Sequence, residues 1–324
     1  MPHINTILHG DVLDKLKEIE TESIQCVVTS PPYWGLRDYG SDGQLGLEET
    51  PEEYVENMVK VFREVKRVLK HDGTVWLNLG DSYSSGSGGY DDKYMHNSTS
   101  GTPSEGVRKS VSASKPFGLP TKNLVGIPWR VAFALQSDGW YLRQDIIWHK
   151  PNPMPEPVTD RCTKSHEYIF LLTKSAKYFY DADAIREPLA ESTLNDIRIG
   201  CKSSRPNSKA HELVKQGVHG SGGIGDPTKT RAELTNLAGR NKRSVWKINT
   251  KPYKEAHFAV FPPKIPEICI KAGSKEGDTV LDPFFGSGTT GWVAQRLGRK
   301  WIGIELNAEY IKIAEKRFAQ RELF

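Results

Sequence analysis

Short runs of β-branched and apolar residues alternate along the chain with longer segments of helical periodicity. Residues 4–8 and 24–29 are strand-like and end in polar or proline-containing turns. Over residues 53–69 apolar side chains recur at helical spacing, and Asp72-Gly73 is expected to end that helix before a strand at 74–79. The alternation returns in a strand at 279–282, a helix near 290–297, a strand at 301–305 and a helix at about 308–321. This order predicts an α/β fold with a doubly wound, mostly parallel sheet covered by helices on both faces.

Two segments interrupt the alternation. Residues 84–115 are dominated by Ser, Gly, Asp, Asn and Thr, a composition typical of a long flexible loop. Residues 186–247 combine glycine-rich turns with basic side chains and are expected to form an inserted module, so that 1–185 and 248–324 make up the catalytic domain. Between the interruptions, residues 140–149 and 167–173 are expected to pair as a hairpin-like unit at one edge of the sheet.

Length and composition favour one large domain with an insertion. The 324 residues exceed the size at which a single core stops growing, about 250 to 300 residues. No apolar run approaches the ~18 residues that a membrane span needs, and the chain starts without a secretory signal pattern, so the expected location is the cytoplasm. Cys26, Cys162, Cys201 and Cys269 are not spaced as metal ligands and are expected to be free thiols.

Positive charge is concentrated in one part of the chain. Residues 186–255 contain 14 Lys and Arg against 7 Asp and Glu, a local charge of +7, whereas the whole chain carries only +4. Such a basic stretch is where contacts with the phosphates of a nucleic acid are expected.

A glycine turn follows the strand at 279–282 and opens a helix. In Asp282-Pro-Phe-Phe-Gly-Ser-Gly288, small residues let a ligand approach the backbone closely. Nineteen residues beyond Gly286, Glu305 ends the next strand, where a carboxylate can accept hydrogen bonds from both hydroxyls of a ribose. A nucleoside ligand is therefore expected. The turn has neither the Gly-Lys-Ser/Thr ending of a P-loop nor the Gly-x-Gly-x-x-Gly run typical of a pyrophosphate site.

A second loop, Ser30-Pro31-Pro32-Tyr33, leaves the strand at 24–29. Its two prolines hold the chain rigid, and the Ser30 hydroxyl and the Pro31 carbonyl can both accept hydrogen bonds from an aromatic amine. Tyr33 can stack on the base that carries this amine. The amino lone pair of cytosine or adenine is delocalised into the ring, so acceptors that orient it would supply much of the rate.

Thr29-Ser-Pro-Pro-Tyr33, followed late in the chain by Asp282-Pro-Phe-Phe-Gly-Ser-Gly-Thr-Thr290, resembles the DNA amino-methyltransferases, and this loop order resembles their β-class. The resemblance covers nearly the whole chain. It implies a Rossmann-like methyltransferase fold, S-adenosylmethionine as cofactor and a prokaryotic or phage source. It implies that Asp11 holds the cofactor adenine and that residues 257–264 line its methionine end. The cofactor-binding residues suggested by the turn and the resemblance are Asp11, Phe261, Pro262, Lys264, Asp282, Phe284, Gly286, Ser287, Gly288, Thr289 and Glu305.

The resemblance also implies the substrate. Ser30 at the head of the catalytic loop (Ser30, Pro31, Pro32 and Tyr33) is usual in cytosine-N4 enzymes, whereas Asp is usual in adenine-N6 enzymes, so methylation of cytosine N4 in duplex DNA after base flipping is expected. The alternatives are adenine N6 and, further away, RNA or a protein glutamine. No metal is required. A restriction endonuclease is a possible partner, and monomer and homodimer both stay open. The DNA-contacting candidates are Arg37, Arg198, Lys202, Arg205, Arg240, Lys242 and Arg243.

Overall fold

Strands and helices alternate through the part of the chain that the computed structural model describes, residues 3–36, 43–84, 118–198, 238–250 and 261–319. The strands are β1 (Thr6–His9), β2 (Ile24–Thr29), β3 (Leu69–Leu79), β4 (Tyr141–His149), β5 (His166–Thr173), β6 (Val245–Lys247), β7 (Thr279–Asp282) and β8 (Lys300–Glu305). The α-helices are α1 (Val12–Lys17), α2 (Pro51–Val68), α3 (Ile127–Ser137), α4 (Glu191–Arg198), α5 (Lys264–Gly273), α6 (Thr289–Arg296) and α7 (Ala308–Ala319).

The strands form one sheet in the order β1-β8-β7-β2-β3-β5-β4-β6. All neighbours are parallel except β5, which runs antiparallel to both β3 and β4. The prediction of a doubly wound, mostly parallel sheet is therefore confirmed. From β2 the chain continues to β3 on one side, while β7 and β8 fill the other side, so the strand order reverses between β2 and β7. Such a switch point is where open α/β sheets place their ligand crevice.

Helices cover both faces of this sheet. Alternate residues of a strand point to opposite faces, so one strand can pack against helices on both sides. Val27 of β2 and Val75 of β3 belong to the same buried cluster as Phe62 of α2. The intervening Cys26 faces α5, where a Cβ added to Gly273 would lie 2.9 Å from the Cys26 sulfur. Burial of apolar side chains on both faces explains why strands β2 and β7 are fully buried.

The expectation that Asp72-Gly73 ends the helix before β3 is wrong. Helix α2 ends at Val68, and Leu69 is already extended with φ −71° and ψ 136°. Gly73 lies inside β3, where a Cβ would come within 2.7 Å of the Leu69 side chain. The glycine serves close packing at an irregular stretch, since the register of β2 against β3 shifts here.

The chain forms two compact units, one of Met1–Tyr180 with Ser244–Phe324 and one of Asp181–Arg243. Strand β6 falls within the range 186–247 expected for the insertion, yet it pairs with β4 in the sheet. Apart from Ser84, the loop expected over 84–115 lies outside the described residues. Cys26, Cys162 and Cys269 are free thiols, and Cys201 lies outside the described residues. None of the helices that the structure describes is both long and apolar enough to cross a bilayer.

Candidate active site

Both predicted loops leave the sheet at the same edge. The catalytic loop, Ser30 to Tyr33, follows β2, and the glycine turn, Asp282 to Gly288, follows β7. Strands β2 and β7 are parallel neighbours, with Cys26 opposite Val280 and Val27 opposite Leu281. Carboxyl ends of parallel neighbours lie at one edge, so the two loops meet although about 250 residues separate them in sequence.

Asp282 joins the two loops through its buried carboxylate. Its Oδ1 accepts a hydrogen bond from the Thr29 hydroxyl at 2.7 Å and another from the Phe284 amide at 3.1 Å. Its Oδ2 accepts one from the Thr290 hydroxyl at 2.7 Å. Burial raises the pKa of Asp282 to about 7, against the lowering effect of these three donors; nearby Glu305 raises it further. These bonds show that the buried Asp282 carboxylate links the end of β2, where the catalytic loop begins, to the glycine turn.

The second phenylalanine of the turn anchors it to the sheet. Phe285 is buried and stacks on Trp301 with ring centroids 5.2 Å apart. Two glycines make room for this ring, since an added Cβ would lie 2.3 Å from it at Gly303 and 2.6 Å from it at Gly291. Phe284 is only partly buried. The anchor therefore holds the turn in place while Phe284 stays partly accessible.

Glu305 lies beside the turn at the end of β8. Its carboxylate accepts hydrogen bonds from the amides of Gly286 at 2.7 Å and Asn307 at 2.8 Å. Burial raises the pKa of Glu305, although these amides lower it. The Gly10 amide donates to the Glu305 carbonyl at 3.0 Å, which brings the start of α1 to the same edge. There Asp11 caps α1, with Oδ1 accepting from the Leu13 and Asp14 amides at 2.9 and 3.2 Å.

The rest of the turn packs against α7. Arg317 donates to the carbonyl of Ser287 at 3.0 Å and to the hydroxyl of Thr289 at 2.7 Å, and both side chains are buried. Gly288 precedes α6 with φ +77°, and an added Cβ would lie 3.0 Å from Ala314. The expected cofactor contacts of Ser287 and Thr289 would thus involve backbone groups, because their hydroxyls face Arg317.

The segment expected to line the methionine end of the cofactor is only partly described, since residues 251–260 lie outside the described residues. Phe261 is partly buried and Pro262 buried, immediately before α5. Lys264, the first residue of α5, is exposed and pairs with Glu267 at 3.1 Å. Helix α5 contacts β2 and α6, so this segment reaches the same part of the sheet.

The catalytic loop is held by contacts on both sides. The Tyr54 hydroxyl of α2 donates to the Pro32 carbonyl at 2.9 Å. Ser30 Oγ lies 3.3 Å from the Tyr33 hydroxyl, and Gly80 lets the chain pass so close to the Tyr33 ring that a Cβ would come within 2.5 Å. Pro31 is buried. The ring of Tyr33 is therefore packed from one direction and remains partly accessible.

A polar cluster behind Tyr33 was missed by sequence reasoning. The Tyr33 hydroxyl donates to Glu167 Oε2 at 2.7 Å, and Asn78 Nδ2 donates to the same oxygen at 3.1 Å. Lys150 pairs with Glu167 Oε1 and lies 4.4 Å from the centre of the Trp148 ring. The available signal was that Asn78 interrupts the apolar run at the end of β3 and that Glu167 stands just before the apolar run of β5.

The basic candidates are placed unequally. Arg37, Lys202 and Arg205 lie outside the described residues, and of Arg198 the structure describes only its place at the end of α4. Within the unit Asp181–Arg243, Glu187 pairs with Arg240 at 3.3 Å and with Lys242 at 3.1 Å. Burial acts to raise the pKa of Glu187, but these cations lower it overall. Lys242 is thus engaged internally, and the side chain of Arg243 is exposed.

No group of three or more His, Cys, Asp or Glu side chains in the described ranges could hold a metal ion.

From residue 24 to residue 316 the chain matches the DNA methylase family of N6 and N4 methyltransferases. It is 45% identical over 315 residues to the Type II methyltransferase M.SmaI of Serratia marcescens, covering 97% of this chain and 91% of that protein. It is 46% identical over 312 residues to the Type II methyltransferase M.Cfr9I of Citrobacter freundii, covering 96% and 87%. The fold is similar to that of the cytosine-N4-specific PvuII DNA methyltransferase, with a TM-score of 0.61, 21% identity, and coverage of 97% of this chain and 86% of that one.

Proposed function

This chain belongs to the DNA methylase family of N6 and N4 methyltransferases, and we propose that it methylates the N4 amine of cytosine in duplex DNA. S-adenosylmethionine is the cofactor that membership of this family implies. The relatives named as Type II methyltransferases support a role as the modification enzyme of a restriction-modification system, with a restriction endonuclease as its counterpart. The observation that carries the proposal is the 2.7 Å hydrogen bond from Thr29 to Asp282, which ties the catalytic loop to the glycine turn.

The residues around the glycine turn fit a nucleoside cofactor. A Cβ added to Gly286 would meet nothing within 4 Å, so the turn is open at this point. Glu305, beside it, has a fixed carboxylate that can still accept hydrogen bonds from ribose hydroxyls, because each carboxylate oxygen has two acceptor positions. We assign Asp11 to the adenine and Phe284 and residues 261–264 to the remaining cofactor surface. The cofactor supplies an electrophilic methyl group on a sulfonium sulfur.

The catalytic loop would act by orienting the target amine. Ser30 Oγ and the Pro31 carbonyl accept its two hydrogens, which draws the N–H bonds out of the plane of the base and localises the lone pair on nitrogen. Tyr33 stacks on the base, which must leave the duplex to reach the loop. Fixed acceptors in a site from which water is excluded stabilise charge developing on nitrogen without reorganising. Cytosine is favoured over adenine because Ser30, and not Asp, heads the loop.

A methyl-transfer assay tests these roles. With radiolabelled cofactor and unmethylated DNA, Ser30→Ala and Tyr33→Ala are expected to retain cofactor binding and lose most methyl transfer. Ser137→Ala and Tyr141→Ala are matched controls on exposed residues of α3 and β4, and they should keep wild-type activity. Nucleoside analysis of the product distinguishes N4-methylcytosine from N6-methyladenine. Full activity of both loop variants would refute the assigned roles, and N6-methyladenine would refute the choice of base.

We further propose that residues 186–247 contribute to target recognition. The support is their net positive charge and their position in sequence between the two loops, with Arg240 and Arg243 at the end of the stretch. Methylation of duplexes of varied sequence by the full chain and by a chimaera carrying a relative's segment tests this role. Transfer of the relative's sequence preference with the segment is the expected result, and an unchanged preference would contradict it.

A further inference from the structure

The hydroxyl of Ser30 is the outer end of a short hydrogen-bonded chain that leads inward. Ser30 Oγ lies 3.3 Å from the Tyr33 hydroxyl, and that hydroxyl lies 2.7 Å from Glu167 Oε2. A carboxylate only accepts hydrogen bonds, so Tyr33 donates its one proton to Glu167. The Tyr33 oxygen can then accept a hydrogen bond from the Ser30 hydroxyl. The Glu167 carboxylate therefore determines that each hydrogen bond in this series is donated inward, from Ser30 to Tyr33 and from Tyr33 to Glu167.

Glu167 is well held in this position. Lys150 pairs with Oε1 and supplies a compensating positive charge, and Asn78 Nδ2 donates to Oε2 at 3.1 Å. The second hydrogen bond of that amide goes to the Tyr168 carbonyl at 3.1 Å, which fixes its orientation. The side chain of Glu167 is 14% exposed. Three donors thus converge on a carboxylate shielded from water, the setting in which a charged hydrogen bond is strongest.

We propose that Glu167 is a positioning residue for methyl transfer, acting through Tyr33 on Ser30. With the Ser30 proton committed to Tyr33, the lone pairs of Ser30 Oγ remain available for a hydrogen of the target amine. This inference rests on the proposed function, because it needs an amine at Ser30. It adds to that function a residue from β5, which acts through the Tyr33 hydroxyl.

The same chain provides an outlet for the proton that methylation releases. Methyl transfer would form the nitrogen–carbon bond at the expense of the carbon–sulfur bond of the cofactor, and the positively charged nitrogen would then have to lose one of its two protons. That proton passes to Ser30 Oγ, the Ser30 proton to the Tyr33 oxygen, and the Tyr33 proton to Glu167. Each oxygen gains one proton as it gives one up, and Glu167 ends with the proton.

A double-mutant cycle separates this role from a structural ion pair. The amide of Glu167→Gln can donate to the Tyr33 oxygen and reverse the chain, while Tyr33→Phe removes the chain but keeps the ring. Each variant is expected to lower kcat by about 10- to 100-fold, which corresponds to the loss of one hydrogen bond to a charged group. The KM for the cofactor should stay unchanged. The double variant should be no slower than the slower single variant, because both changes break one chain. Glu64→Gln, which removes the ion pair of Glu64 with Arg67 on α2, is the matched control and should leave kcat unchanged.

The outcomes are distinguishable. A wild-type protein that transfers no methyl group to DNA overturns the proposed function and, with it, this inference. An active wild type with an unimpaired Glu167→Gln variant overturns the role of Glu167 alone, as do single losses that multiply in the double variant. Tyr33→Phe keeps the ion pair between Glu167 and Lys150, so it tests the chain even if Glu167→Gln folds poorly. Full activity of Tyr33→Phe would overturn the proposed hydrogen-bonded chain from Ser30 to Glu167.

Discussion

Asp282 allows a quantitative prediction, because a single buried carboxyl joins both loops. Replacement by Asn should preserve the junction. The Asn oxygen can accept from Thr29 and the Phe284 amide, as Asp282 Oδ1 does. The Asn amide would donate to Thr290, whose own proton can go to the Val28 carbonyl at 3.2 Å. Asp282→Asn is therefore expected to fold and to bind the cofactor.

The variant should differ from the wild type in how stability depends on pH. The pKa of Asp282 is raised by burial from 3.8 to about 7, so the folded state holds this proton more tightly than the unfolded state. The stabilisation from this group is fully present below pH 3.8 and is lost as pH rises to about 7. At about 1.4 kcal/mol per pH unit, the loss is at most about 4 kcal/mol. Asn lacks this loss, so the variant should gain stability relative to wild type over that window.

Chemical denaturation of the full chain at several pH values between 4 and 8 measures this difference. Asp278→Asn is the matched control, since Asp278 lies just before the same strand and pairs with Lys70 at the surface. Asp282→Ala is the contrasting variant, because it leaves the Thr29 hydroxyl and the Phe284 amide without their acceptor. Each lost partner is worth about 1–3 kcal/mol. Curves for wild type and Asp282→Asn that stay parallel across the pH range would refute the assignment of a buried, proton-binding carboxyl.

Three further predictions concern packing and charge. Gly303→Ala should lower the free energy of unfolding by about 1–3 kcal/mol in denaturant titrations, because the new Cβ meets the Phe285 ring at 2.3 Å; an unchanged free energy of unfolding would contradict this. Gly80→Ala should lower kcat by displacing Tyr33 without weakening cofactor binding measured by equilibrium dialysis, and an unchanged kcat would argue against a fixed ring position. Arg243→Ala should reduce the slope of log binding constant against log salt for DNA by about 0.9, whereas an unchanged slope would remove Arg243 from the interface.

Much of the sheet could be predicted because its strands carry their own signal. Buried β-branched runs such as those of β2 and β7 end at polar turns, and both were placed correctly. Helix α5 was not predicted, because Pro266 in its first turn reads as a break, although a proline there interrupts no helical hydrogen bond. The three-residue strand β6 owes its place to pairing with β4 and has no local pattern to reveal it.

The candidate site also has a part that the sequence predicts and a part that it does not. Its two loops are local motifs, so their residues could be named from sequence, and the structure brings them to one edge of the sheet. The link between Thr29 and Asp282 joins positions far apart in the chain, and nothing in the spacing of either motif indicates it. The bond from Tyr33 to Glu167 is equally non-local, since it depends on β5 lying antiparallel beside β3. Sequence patterns predict which side chains are chemically suited, whereas sheet order decides which of them meet.

Sheet order also explains how the loops can be so far apart in the chain and still form one site. The bonds that join them come from the ends of β2 and β7 and from Thr290 at the start of α6, which packs directly on the turn. Because β2 and β7 lie at the switch point, neither loop depends on the length of the connection between them. The connection can therefore carry a long basic segment and vary in sequence, while Asp282 keeps the catalytic loop and the glycine turn in register.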